Sequence, residues 1–210
     1  MAVCELISVG TEILLGDILN TDAQFLSIEL ARLGISVIHQ STVGDNRERL
    51  LAQLKEAADR SDIIILSGGL GPTPDDLTKE VCCEFFGKKM FLHEPTVEKI
   101  KTYFRTKSME MAQNNLKQAM LPKDCVIFPN DNGTAPGMAI EKDGVHILVL
   151  PGPPRELKPM FRNCAVPYLM QFSDRIIVSH NIRTFGIGES LMAERVNDLF
   201  DAENPTVAPY

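Results

Sequence analysis

No stretch of this chain stays apolar for the ~20 residues a membrane span needs. The N-terminus runs straight into strand-like AVCELISV, with no signal peptide ahead of it. These two absences predict a cytoplasmic protein that stays out of the membrane. There is no run of Lys or Arg either: 21 basic residues are scattered among 28 acidic ones, for a formal net charge of −7. A dedicated nucleic-acid binder needs a concentrated positive field, so no nucleic-acid partner is expected. A small phosphorylated ligand is not excluded, because backbone dipoles or a bound cation act locally. The five cysteines include no CxxC pair, and the four histidines lack zinc-type spacing. Reduced, mostly packed thiols and no histidine metal site are the expectation. The Gly-Lys-Ser/Thr of a Walker A loop and the GxGxxG fingerprint are both missing. So are internal repeats and low-complexity tracts.

What is present is ordinary globular composition, 44% hydrophobic and 23% charged over 210 residues, enough for one α/β domain plus a small unit. Residues 2–9 read as a buried strand broken at Gly10. Asn20, Thr21 and Asp22 offer N-caps for a helix that Gly34 stops. A strand over ISVIHQSTV follows, then a helix capped by Asp45 or Asn46, then IIIL at 63–66, typical of a parallel strand covered on both faces. Residues 75–86 read as a helix, 94–120 as two helices, 124–150 as β-rich, and 154–172 as a helix. The alternation predicts right-handed crossovers and a mostly parallel sheet. After Ser173, RIIVSHNIRTF reads as a strand, FGIGES as a turn and LMAERVNDLF as a helix. The chain stops soon afterwards, at Tyr210, which reads as a fragment or a unit completed elsewhere.

The chemistry concentrates in loops that follow strands. Gly10-Thr11-Glu12 follows the first, Gly44-Asp45 the second, Ser67-Gly68-Gly69-Leu70-Gly71-Pro72-Thr73 the third, and Pro151-Gly152-Pro153-Pro154 follows HILVL. In open α/β sheets ligands bind beyond the carboxyl ends of strands, so these loops are expected to share one rim. The glycines allow backbone amides to approach a phosphate, and the following helix points its N-terminus the same way. A tight turn with helix caps is the plainer alternative for that loop. Asp45, Asp76, Asp75 and Glu12 are the carboxylates available to a hard divalent cation, although Asp75 at a helix start also suits the macrodipole. Asn132-Gly133-Thr134-Ala135-Pro136-Gly137 is either a ribose or base loop or an ordinary hairpin connection. Lys117 and Gln118 precede it; Lys117 is a solvated helix-end charge or, in a phosphate site, a counter-charge.

GTEILLGDILNTD, VGDNRE, SGGLGPTPDDLT, NLKQAMLP, NGTAPG, LPGPPREL and FGIGES, in this order, resemble the signature segments of the CinA (competence/damage-inducible protein) family. One departure is Asp22, where the resemblance leads one to expect asparagine. The resemblance implies a three-layer, molybdopterin-binding-like (MogA/MoaB-like) α/β domain with a mostly parallel sheet over 1–172. A small partial α+β unit, the start of a KH-like subdomain, is implied over 173–210. It also implies hydrolysis of ADP-ribose to AMP and ribose 5-phosphate, dependent on a divalent metal ion (Mg, Mn or Co), by a homo-oligomer, dimer or trimer. A C-terminal deamidase domain, common in the family, is absent here, so no deamidation is expected. The segment 173–210 has no basic GxxG clamp, which again argues against RNA.

On this basis Asp45, Asp76 and Lys117 are the expected catalytic residues, and Asp45, Asp75, Asp76 and Glu12 the expected metal ligands. Expected substrate contacts are Gly10, Thr11, Glu12, Ser67, Gly68, Gly69, Gly71, Pro72, Thr73 and Thr78. Gln118, Gly133, Thr134, Ala135, Pro136, Gly137, Gly152, Pro153, Pro154 and Glu156 complete the set. The same loops suit a molybdopterin-type pterin-phosphate binding or transferase module. A non-catalytic scaffold for a missing C-terminal domain is the third possibility.

Overall fold

The computed structural model describes residues 2–173, 178, 180–202 and 204–208. The chain divides into two units, 1–177 and 178–210. In the first, the apolar runs β1 (Val3–Val9) and β3 (Ile63–Ser67) are buried almost throughout. Such strands need partners on both edges and cover on both faces. The six-stranded sheet provides both. Its order is β2-β1-β3-β8-β7-β6, with β2 (Ser36–Val43), β6 (Val126–Phe128), β7 (Gly137–Lys142) and β8 (Val145–Leu150). β2, β1, β3 and β8 run parallel; β7 is antiparallel to β8, and the edge strand β6, antiparallel to β7, runs in the direction of the other four.

The side-chain alternation of β3 sorts the core into two layers. Ile64 and Leu66 join Leu50, Leu54, Val81 and Cys82 of α3 (Arg47–Ala58) and α4 (Thr78–Phe85). Ile63 and Ile65 join Leu26 and Leu30 of α2 (Thr21–Arg32) and Leu157 of α6 (Pro154–Met160). Helix, sheet, helix: the architecture is the three-layer MogA/MoaB-like α/β fold. Asn20 caps α2 by accepting from the Ala23 amide at 3.1 Å, and Asn46 caps α3 by accepting from Arg49 at 3.0 Å.

Several local expectations are corrected. Residues 11–15 form a short helix, α1 (Thr11–Leu15), with no buried residue and therefore no apolar stripe to read. α4 begins at Thr78 rather than 75, because Asp76 folds back onto Thr73 and the Thr78 amide is taken by the Gly69 carbonyl at 3.2 Å. The 94–120 region holds one α-helix, α5 (Glu94–Thr106), and a 3-10 helix at Gln113–Ala119. A two-stranded ribbon, β4 (Met90–Leu92) with β5 (Met120–Pro122), brackets them. The helix over 154–172 is interrupted by a π-turn at Phe161–Ala165, then α7 (Val166–Leu169) and a 3-10 turn. Pro159 and Pro167 remove amide donors from this stretch, which favours such irregularity.

In the second unit α8 (Glu189–Arg195) and a 3-10 turn at Asn197–Leu199 occupy the expected helix. Of the strand expected over 175–185, residues 175–177 and 179 lie outside the described residues. The remainder has no regular structure, there being no strand among the described residues of this unit to pair with it. No helix among the described residues is long and apolar enough to cross a membrane.

Candidate functional site

The four strand-end loops meet. Gly10 after β1, Asp45 after β2, Ser67 to Gly71 after β3, and Pro151 to Pro154 after β8 line one cavity of about 570 Å³. Backbone bonds hold the loops to neighbouring strand ends: the Gly10 amide donates to Val43 O at 3.0 Å, and the Gly68 amide to Leu150 O at 3.1 Å. Gly68 has a φ of 101°, and a Cβ there would lie 2.1 Å from Val9 O, so only glycine fits. At Gly71 a Cβ would lie 2.3 Å from Asp76 Oδ2, so the missing side chain gives that carboxylate its place. Thr78 Oγ1 donates to Gly68 O at 2.8 Å and braces the loop from behind.

The two central carboxylates are held in the same way. Asp45 Oδ2 accepts from Thr11 N at 2.9 Å and from Thr11 Oγ1 at 2.8 Å. Asp76 Oδ2 accepts from Thr73 N at 2.9 Å and from Thr73 Oγ1 at 2.5 Å. In each case one threonine spends its amide and hydroxyl on one oxygen. The other oxygen takes no hydrogen bond from any described residue. Glu12 and Asp75 are exposed and also line the cavity. Among the described residues no group of three His, Cys, Asp or Glu is gathered closely enough to hold a cation by itself.

Lys117 does not line the cavity. Its ammonium donates to the carbonyls of Thr73, at 2.8 Å, and Asp76, and lies 3.6 Å from Glu80, so it grips the acidic loop from behind. Gln118 does line it, and its Nε2 donates to Leu70 O at 3.3 Å. Lys79 is buried behind that contact, donating to Gln118 O at 2.6 Å and Met120 O at 3.2 Å; burial lowers its pKa to about 8. Its bracing role left no mark in the sequence, where it is one lysine in a helical pattern.

Thr134, Ala135, Gly152, Pro153, Pro154 and Glu156 line the cavity too. Glu156 is buried and accepts from Asn130 Nδ2 at 2.8 Å. Gly133 and Pro136 instead line a second cavity, about 620 Å³, beside α5, and Thr134 borders both. Gly137 opens β7, where a Cβ would lie 2.6 Å from Val149 O; its smallness serves packing. Thr11, Pro72, Thr73 and Thr78 stand outside the lining, the threonines as supports. Unanticipated lining comes from Ile13, Ile18, Leu19, Asn20, Thr21 and Asp22. Asn20 is the cap the sequence offered, and its Nδ2 also donates to Ser8 Oγ at 2.8 Å.

Comparison with known proteins bears on the family and the fold. The family described as "Probable molybdopterin binding domain" matches residues 5–171, and "Damage-inducible protein CinA KH domain" matches residues 179–210. A CinA-like protein of Dictyoglomus turgidum is 53% identical over 208 residues, 99% of this chain and 51% of that one. The chain thus spans about half the length of the curated relatives it matches. The crystal structure of the protein CinA from Thermoplasma acidophilum superimposes with a TM-score of 0.72 at 30% identity, covering 79% of this chain and 97% of that one. The tungsten cofactor synthesizing protein MoaB of Pyrococcus furiosus shares the fold alone, with a TM-score of 0.53, 17% identity, and coverage of 83% of this chain and 98% of that one.

Proposed function

The chain belongs to the CinA family, and from that premise we propose that its first unit hydrolyses the pyrophosphate bond of ADP-ribose. Water is consumed, and AMP and ribose 5-phosphate are released, with a divalent cation (Mg, Mn or Co) as cofactor. One observation carries the proposal: Asp45 and Asp76, each pinned through one oxygen by a threonine, border the same cavity as the glycine amides. Their remaining oxygens are hard donors suited to Mg²⁺ or Mn²⁺. Two carboxylates without a third ligating side chain suit a cation that completes its shell with substrate phosphate and water. Bound there, such a cation would supply Lewis acidity, lowering the pKa of water and offsetting charge on the diphosphate.

The chain's own residues do the rest. Amides of Gly69, Leu70 and Gly71, with that of Gly152, receive the diphosphate oxygens, the Gly68 and Thr73 amides being taken by Leu150 O and Asp76 Oδ2. The Thr11 and Thr73 clamps fix the two aspartates before substrate arrives, so little reorganisation accompanies reaction. Lys117, fastened to the carbonyls of Thr73 and Asp76, is a positioning residue for the acidic loop and lends positive charge from behind it. Glu12 and Asp75 border the cation's surroundings, and Thr134 with Ala135 offers a wall for ribose or base.

A second function, pterin-phosphate binding, is favoured by the description of the matching family and uses the same loops. The two separate on one assay. The chain is incubated with ADP-ribose and Mg²⁺, Mn²⁺ or Co²⁺, and AMP and ribose 5-phosphate are quantified. Stoichiometric release with at least one ion is expected. No release with any of the three, alongside retained binding of a pterin phosphate, moves the assignment to the second function.

A further inference from the structure

Asp22 has an environment that its place in the fold does not explain. It sits in the first turn of α2 and lines the cavity, yet is only 8% exposed. Its Oδ1 is sealed from water without a hydrogen-bond partner. Buried polar atoms almost always find a partner. Among the described residues only Asp22, Ser41 and Ser61 carry such an orphan, and of these only Asp22 borders the cavity. It is not the helix cap, since Asn20 fills that role. It is not an ion-pair partner: Lys158, whose charge acts on it, has its ammonium over the Phe25 ring, 5.4 Å from the centroid. Burial raises its pKa to about 6, Lys158 opposing only in part, so near neutral pH it is mostly an anion and an acceptor.

An anion at that point repels phosphate, so the ligand atoms facing it are neutral donors. Aspartate χ2 is broad and turns at low cost, so either carboxyl oxygen can reach a ligand. We propose that Asp22 determines specificity in the cleft by accepting a hydrogen bond from a neutral donor of the ligand, a ribose hydroxyl or the exocyclic amino group of the base. This rests on the ADP-ribose assignment and assigns Asp22 to the nucleoside or sugar portion, leaving the diphosphate to the glycine amides.

The test is equilibrium binding by calorimetry with divalent ions chelated, so that no turnover intrudes. Wild type, Asp22→Asn and Asp22→Ala are titrated with ADP-ribose, its 2′-deoxy form, and the inosine form, which lacks the amino group. Wild type is expected to bind one of the two analogues about 10- to 100-fold more weakly than ADP-ribose, the range for a hydrogen bond to a charged group. Asp22→Ala loses a similar factor for ADP-ribose and no longer discriminates against that analogue. Asp22→Asn, which keeps an acceptor oxygen and the side-chain shape, retains part of the discrimination. The weaker analogue tells hydroxyl from amine. Unchanged discrimination in Asp22→Ala, or an equal loss for all three ligands in both variants, overturns the proposal. Discrimination as expected without AMP release when metal is restored leaves Asp22 in place and removes only the hydrolase. Failure of wild type to bind ADP-ribose removes both.

Discussion

Asp76→Asn separates chemistry from folding at the point where the two touch. The native Oδ2 accepts from Thr73 N at 2.9 Å and Thr73 Oγ1 at 2.5 Å. An asparagine amide oxygen can accept from both, so the loop keeps its shape. What changes in the fold is a charge-assisted pair of hydrogen bonds becoming a neutral one, a difference of about 1 kcal/mol. For a unit of this size that lowers Tm by about 2–4 °C. The catalytic cost is larger. Replacing the free carboxylate oxygen by an amide removes one negative charge facing a cation. At ~4 Å and an effective dielectric of ~20 two unit charges attract by about 4 kcal/mol and a divalent ion by about twice that, so the loss is at least about three orders of magnitude in rate. AMP release from ADP-ribose at saturating Mn²⁺, measured beside a thermal melt, reads both numbers. A melt near wild type with a rate within about threefold, under 1 kcal/mol on the barrier, would refute the role given to Asp76.

Asp22 should show in stability as well as binding. Its folded pKa, raised from 3.8 to about 6, means the fold prefers the protonated acid. The resulting penalty is absent below pH 4, grows through pH 4–6 and is fully present above, at most about 3 kcal/mol. Asp22→Asn is therefore expected to gain about 1–3 kcal/mol in denaturant unfolding at pH 7 and almost nothing at pH 3.5; an equal gain at both contradicts the assignment. Gly68→Ala places a Cβ 2.1 Å from Val9 O at a φ of 101°, and should cost at least about 2 kcal/mol, seen in unfolding midpoints. A melt equal to wild type would mean the loop is not as tightly seated. Glu5, wholly buried, accepts from Arg60 at 2.9 and 3.0 Å and from Gln53 at 2.9 Å. Arg60→Ala leaves that charge with Gln53 alone and should lower the unfolding midpoint, while ligand affinity at low temperature stays at the wild-type value. A small stability change there would mean Glu5 is solvated.

Much of this molecule is legible because its central strands β1 and β3 are buried on both faces and two of its helices, α2 and α3, have side-chain caps. Ile63 to Leu66 can only be an interior strand, and Asn20 and Asn46 each reach the amide three residues on. The convergence of Gly10, Asp45, Gly68 and Gly152 follows from the parallel order, since each loop leaves the same end of the sheet. The remainder depends on contacts distant in sequence. In the sequence Lys117 could serve either a phosphate or the helix end, and only the folded position of residues 73–76 sends its ammonium to the loop carbonyls instead. α1 buries nothing and so carries no periodic signal. Asp22 was legible as a possible cap, but its orphaned oxygen exists only once α2 is packed.

The most direct test is a crystal structure of the chain with Mn²⁺ and an ADP-ribose analogue whose bridging oxygen is replaced by methylene. The diphosphate should lie against the amides between Gly68 and Thr73 and at Gly152, with anomalous signal for manganese at the unclamped oxygens of Asp45 and Asp76. A diphosphate seated in the cavity beside α5 instead, with both aspartates untouched, would contradict the account.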